Sequence, residues 1–335
     1  MMAAGMPTAL DVEEGNPAQV LRAAVDAVRG GARAALAVVL ETEGSTYSRT
    51  GTVALFAEGT HVGWLSGGCL EPEIARRAWQ AVDNARIEWL EIDTRDDDAL
   101  FSGNAVGCRG RQRVALLPLP ALPGIELVLQ AWLQGNVPLQ LELHVDGQLR
   151  FACEGHFCAS TLRSAHVEWT DPRAHWQLRW QRAPTVLLLG AGPEVGPLLP
   201  LLTGLGWRAS VHDPRESWRL RSHVPADAVL PAWEPRSAAA HPPDAALVMH
   251  HNFELDRDAL EQLAATAIPF IGLLGPERRR EDLFKLLPAA ARASLQPRLR
   301  SPIGLALGGR GPDAIALSIA AQLQAWRHGS ALAAV

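Results

Sequence analysis

The stretch TVLLLGAGPEVGPLLPLLTGLGW at 185–207 constrains this chain more than any other. By length it could span a bilayer. Its glycines, its three prolines and Glu194 near the middle argue instead for a strand, a glycine turn and a helix. A buried strand that runs into Gly190-Ala191-Gly192 and then a helix is the opening of a dinucleotide-type βαβ unit. The first glycine permits the tight turn. The second lets backbone approach a phosphate, which the helix N-terminus stabilises. Asp213 ends the next strand, RASVHDPR at 208–215, about twenty residues on, where an acid can take ribose hydroxyls. Two details depart from that pattern. The spacing is G-x-G-x-x-x-G, and Glu194 puts a negative charge where a phosphate would sit.

The alternation continues to the C-terminus. Strands are expected at 244–251 and 269–275, a strand and loop at 301–309, and helices at 257–266, 277–287 and 312–327. Buried strands alternating with helices make a parallel sheet covered on both faces. The first third reads differently. A helix at 17–29 starts on Pro17 and ends at Gly30-Gly31. A buried strand follows at 33–42, a hairpin turns at Glu58-Gly59, and a helix spans about 71–84. Strands at 86–93 and 113–119 complete a mixed α+β region. The fold class is therefore α/β, a C-terminal Rossmann-like parallel-sheet domain preceded by a mixed α+β domain. The boundaries read as 1–120 for the N-terminal domain and 121–184 for a connecting segment with a helix and a hairpin turning at Asp146-Gly147. The Rossmann-like domain takes 185–335. Residues 152–182 carry little pattern.

The chain has 31 basic and 36 acidic residues, a net charge of -5. General nucleic-acid binders are basic, so that class is set aside. Four cysteines in 335 residues make no disulfide framework, and the chain reads as reduced and cytoplasmic. MMAAGMPTALDVEEG offers no basic segment before an apolar one, so no signal peptide is expected, and no membrane association.

Four places carry candidate chemistry. SGGC at 66–69 is a glycine turn before a helix, where a thiol such as Cys69 has a lowered pKa. Cys108 lies in a second glycine-rich loop. Two thiols in two glycine turns suit a soft-ligand or sulfur-handling site, and their spacing suits neither zinc nor a redox dithiol. His250 and His251 end a strand at the edge where open α/β sheets hold ligands. Arg278, Arg279 and Arg280 follow the helix opening at GPERRRE, which fits a phosphate site or a solvated helix face equally. Asp256 is a candidate helix N-cap. Cys153 and Cys158 read as small buried residues.

In chain order, the motifs GSTYSRTG at 44–51, GWLSGGCLEPEI at 63–74, GCRG at 107–110, the 187–207 stretch, VHDPR at 211–215, VMHHNFELD at 248–256, IGLLGPERRRE at 271–281 and SPIGLALGGRGPDAIALSIAAQ at 301–322 form a set. Together they resemble the xanthine dehydrogenase accessory-protein family, XdhC/CoxI, over about 15–328. The resemblance implies a non-catalytic chaperone that binds the molybdenum cofactor, a molybdopterin or its dinucleotide form, and protects it. It further implies support for sulfuration by a cysteine desulfurase, delivery to a xanthine dehydrogenase-type molybdoenzyme, and a homodimer. The cofactor contacts nominated are Ser66, Gly67, Gly68, Cys69 and Cys108, with Gly190, Gly192, Pro193, Asp213, Arg215, His250, His251 and Arg278. Cys69 and Cys108 would stand nearest molybdenum. The phosphate end is expected on Gly190 and Gly192, in a cleft between the domains. Thr50, Arg109 and Ala306 depart from the family's usual Pro, Gly and Asp. The alternatives are an NAD(P)-dependent oxidoreductase and a scaffold that binds no ligand. Hydride transfer needs a proton donor or acceptor beside the substrate carbon, and no Tyr/Lys or His/Asp pair stands at motif spacing.

Overall fold

The computed structural model describes residues 9–12, 16–95, 109–167, 169, 173–234 and 241–330. The chain divides into two compact units, Met1–Arg182 and Ala183–Val335.

The first unit holds two sheets. One is six-stranded, built from β2 (Ala34–Gly44), β3 (Val53–Ala57), β4 (Thr60–Val62), β5 (Arg86–Asp93), β6 (Gly110–Pro118) and β10 (Arg163–Ser164), in the order β10-β5-β6-β2-β3-β4. The other is five-stranded: β1 (Leu10–Val12), β11 (His175–Trp180), β7 (Leu139–His144), β8 (Gln148–Cys153) and β9 (His156–Thr161), in that spatial order. Among the described residues, three helices pack on them: α1 (Pro17–Arg29), α2 (Glu71–Asn84) and α3 (Ile125–Gln134). Strand β2 is buried on both faces, which explains its unbroken apolar run. Leu36, Val38 and Leu40 join the core of α1, α3 and the second sheet, with Trp132, Trp176 and Trp180. Ala35, Ala37 and Val39 face α2 through Ile74, Ala78 and Ala81.

The connecting segment expected at 121–184 has the expected helix, α3, and the expected hairpin, β7–β8, while residues 152–182, which carry little pattern, add β9 and β11 to that second sheet. The remaining strand is β1, parallel to β11 with Leu10 opposite Leu178.

Past the β2 bulge, the six-stranded sheet turns charged. Arg113 on central β6 stands directly opposite Glu41 on β2 and Glu91 on β5. Its guanidinium bonds Glu91 at 2.8 Å and Glu41 at 3.0 Å, and lies 4.7 Å over the Trp169 ring. The Trp176 indole N–H also donates to Glu41, at 2.8 Å.

The second unit is a parallel sheet of β12 (Thr185–Leu189), β13 (Arg208–His212), β14 (Ala245–Val248), β15 (Phe270–Leu273) and β16 (Leu299–Arg300). Its order is β13-β12-β14-β15-β16. Helices α4 (Val195–Gly204) and α9 (Pro312–Arg327) cover one face; α6 (Phe253–Ala264), α7 (Glu277–Leu286) and α8 (Ala289–Leu295) cover the other, and α5 (Glu216–Arg221) follows β13. Of the strand and loop expected at 301–309, only irregular backbone is found. Gly304, Gly308 and Gly309 have positive φ, which breaks a ladder, and the strand itself lies just before, at Leu299–Arg300. Among the described residues, no helix is long and apolar enough to cross a membrane.

The order of the sheet reverses between β12 and β14. The C-terminal ends of those two strands therefore open the crevice where such sheets bind ligands.

Candidate functional site

Gly190 ends β12 with φ +115°, and a Cβ there would lie 2.5 Å from the His250 nitrogen. Only glycine lets the two strand ends meet this closely. The turn's amides are largely committed. Gly190 N–H donates to the His212 carbonyl at 2.8 Å, and Ala191 N–H donates to Asp213 at 2.8 Å. Pro193 has no N–H to give.

Asp213 is fully buried. Its carboxylate accepts from the Ala191 amide, the Arg215 amide and both prongs of the Arg215 guanidinium, at 2.8–2.9 Å. Burial alone would raise its pKa; the Arg215 hydrogen bonds outweigh burial and hold it below the ordinary value. A carboxylate so occupied has little left for ribose hydroxyls. Arg215 also donates to the His250 carbonyl at 2.9 Å and stacks 4.9 Å over the Trp218 ring.

His250 is buried, and its Nδ1–H donates to Asp256 at 3.1 Å. Asp256, also buried, accepts from Arg279 at 2.6 Å. Asp256 is thus not the helix cap expected from sequence. Asn252 caps α6, accepting from the Leu255 amide at 3.0 Å. Among the three consecutive arginines, Arg279 turns inward, whereas the Arg278 side chain is 90% exposed and reaches only Asp282 on its own helix. At 100° per residue, one helix face admits one of the three.

Next to Gly192 stand Glu194 and His251. The His251 Nε2–H donates to the buried Glu194 carboxylate at 2.9 Å. That hydrogen bond raises the His251 pKa against the opposing effect of burial. Burial would raise Glu194, but the bond from His251 leaves it lowered. Histidine's contribution to stability is complete below its ordinary 6.5 and fades as pH climbs through the raised folded value. Glutamate's is complete above its ordinary 4.5 and fades as pH falls through the lowered folded value. The pair should therefore stabilise this unit most between these two values. Denaturant midpoints measured across pH will show a maximum there that His251→Gln flattens; an unchanged profile would remove the pair from the stability of the unit.

The first unit carries the SGGC turn. The Glu71 carboxylate, buried at the start of α2, accepts from the amides of Leu65 (3.0 Å), Ser66 (2.9 Å) and Gly68 (2.8 Å) and from the Ser66 hydroxyl. Burial works against the charge, yet these bonds keep its pKa lowered. Glu71 thus folds the loop around itself. Gly67 and Gly68 take positive φ, and Cys69 is left at the surface with its S–H on the Ser66 carbonyl at 3.1 Å. Tyr47 and Trp64, both more than half exposed, lie beside Gly67 and Gly68. Cys153 and Cys158 are buried as expected; burial pushes the Cys153 thiol up to about 11. Cys108 lies outside the described residues. Among those described, no group of three or more His, Cys, Asp or Glu is placed to hold a metal ion.

The second unit thus brings together Gly190, Gly192, Pro193, Asp213, Arg215, His250 and His251. Ser66, Gly67, Gly68 and Cys69 form one loop of the first. Sequence reasoning missed Glu71, read Asp256 as a helix cap, and named Arg279 among three arginines without singling it out. The i+5 placement of Glu71 after Ser66, at a helix start, was the signal for the first.

A family model described as the XdhC Rossmann domain matches residues 186–323, and one described as the XdhC and CoxI family matches residues 27–93. A Bacillus subtilis protein described as a probable xanthine dehydrogenase subunit is 28% identical over 311 residues, 87% of this chain and 92% of that protein. The crystal structure of a xanthine dehydrogenase from Bacillus halodurans shares the fold, with a TM-score of 0.73 at 24% identity over 94% of this chain and 96% of that one. One match falls in each unit, and together they take in more than half of the residues: the chain belongs to the XdhC and CoxI family.

Proposed function

We propose that this protein is a xanthine dehydrogenase accessory factor that carries the molybdenum cofactor as cargo. It protects the cofactor, supports its sulfuration with a cysteine desulfurase, and delivers it to a xanthine dehydrogenase-type molybdoenzyme. In this reading it is a maturation factor rather than a catalyst, it works in the cytoplasm, and it acts as a homodimer. The cargo brings a dithiolene-bound molybdenum and a phosphate, or a diphosphate in its dinucleotide form.

The observation that carries the reading is the Cys69 thiol, presented at the surface by a loop that a buried carboxylate has shaped, while Cys153 and Cys158 are sealed in the core. An exposed thiol is a fitting neighbour for a soft, sulfur-rich metal complex. Cys108 belongs to the same proposal. Arg215 and Arg279, at the C-terminal edge of the second unit's sheet, suit the phosphate-bearing end. An NAD(P)-dependent reaction fits less well, because Asp213 is saturated by Arg215 and Ala191 and has little left for ribose hydroxyls.

The test is retention. Protein made in a molybdenum-competent host should hold the cofactor through desalting, and native mass spectrometry should read its mass together with the number of protomers. Cys69→Ala with Cys108→Ala should lower the retained fraction at least tenfold. Equal retention by the double variant would remove the thiols. No retention by the native protein, or saturable quenching of NADPH fluorescence, would end the cargo reading.

A further inference from the structure

Three acids at the sheet's switch point are buried, and each holds a basic side chain that reaches nearer the surface. Asp213 grips Arg215, Asp256 grips Arg279, and Glu194 grips His251. The acid side chains are 0%, 1% and 6% exposed, their partners 26%, 24% and 42%. The three pairs surround one short stretch of backbone. Arg215 donates to the His250 carbonyl, His251 is the next residue, and Asp256 accepts from the His250 amide and ring. In each pair the negative end points into the protein and the basic end towards solvent.

Both guanidiniums are held in orientation as well as in place. Arg215 lies over Trp218, and Arg279 lies 5.7 Å over Phe253. Gly275, with φ +132°, leaves room for the Arg279 stem, since a Cβ there would come within 2.6 Å of its Cδ. Each guanidinium still has donors to offer. Arg215 uses Nε and Nη2, and Arg279 uses one Nη, for the bonds described. Helices α4, α6 and α7 all begin at this edge of the parallel sheet and add their positive ends. Burying three carboxylates costs desolvation that apolar packing would avoid. What the protein has in return is two fixed guanidiniums and, when His251 is protonated, a third positive charge beside them.

We propose that these side chains form an oxyanion-binding rim, which takes a phosphate monoester or diphosphate on Arg215, His251 and Arg279. The ligand's charge sits above the glycine turn rather than within it, because the Gly190 and Ala191 amides are already donated. This deepens the cargo reading and rests on it only for the ligand's identity.

The probe is inorganic pyrophosphate, titrated calorimetrically into the full chain at low ionic strength. Saturable binding is expected. Removing a buried acid's partner alone could unfold the unit, so the key variant is Asp256→Asn with Arg279→Gln, which deletes both charges together. It and Glu194→Gln with His251→Gln, paired for the same reason, should each weaken binding about tenfold or more, with the circular dichroism unchanged. Arg278→Gln, on the solvent face, should bind as the native protein does. Native-like binding by both rim variants, an equal loss in Arg278→Gln, or no binding at millimolar pyrophosphate would overturn the rim. Cofactor retained on desalting alongside any of those results would leave the cargo reading standing without it. Pyrophosphate bound as expected by a protein that retains no cofactor would leave the rim and end the cargo reading.

Discussion

Asp213→Ala should destabilise the C-terminal unit by about 4 kcal/mol, a value within the range for breaking a buried ion pair from one side. The acid is fully buried and takes four hydrogen bonds. Its removal leaves the Ala191 amide without an acceptor, inside a turn that water reaches poorly. It also frees Arg215, which is stacked on Trp218 and tied to the His250 carbonyl. For a unit of this size the loss corresponds to a fall in melting temperature on the order of 10 °C. Hydrogen exchange should place the loss in the ends of β12, β13 and β14. An acid kept mainly to receive ribose hydroxyls would behave otherwise. Its alanine variant would melt near the native temperature and lose only ligand affinity, and that outcome would return Asp213 to the dinucleotide role.

Arg113→Met should cost the N-terminal unit about 3 kcal/mol, the lower end of the same range. The guanidinium is 3% exposed, but Glu41 and Glu91 keep 23% and 25%, so part of their stranded charge is answered by water. The single variant leaves two carboxylates facing each other across the vacated position on β6. Replacing all three at once, as Glu41→Gln, Arg113→Met and Glu91→Leu, should return stability to within about 1 kcal/mol of native, since desolvating the charges is then avoided and a glutamine at 41 still accepts from the Trp176 indole. Denaturant unfolding of the two variants checks both statements. A single variant as stable as the native protein would mean that the ladder of charges holds nothing together.

The local parts of this fold were legible because they are written locally. Pro17 and Gly30 bracket α1, Asp146-Gly147 turns a hairpin, and the apolar run into Gly190 is a strand feeding a helix. Of the first unit's five-stranded sheet, only the β7–β8 hairpin was legible. Strand β11 buries only alternate residues, and its neighbours β7 and β1 lie far from it in sequence, so no window contains the pattern. The site was half legible. Positive φ and close approach select glycine at 190, and an acid after β13 follows from the fold. What the sequence could not say is which acid meets which base. Arg215 two residues after Asp213 pre-empts it, Asn252 takes the cap and releases Asp256 to the interior, and helical phase turns Arg279 rather than Arg278 inward.

The pairing of Leu10 with Leu178 sets an order on biosynthesis. At the usual rate of translation, the first strand is out of the ribosome on the order of 10 s before its partner is made. Throughout that interval it has nowhere to dock, and the N-terminal unit is unfinished until Trp180 emerges. Only two residues then separate that closing event from the boundary at Arg182. The nascent chain thus seals its first half just as the Rossmann strand begins to appear.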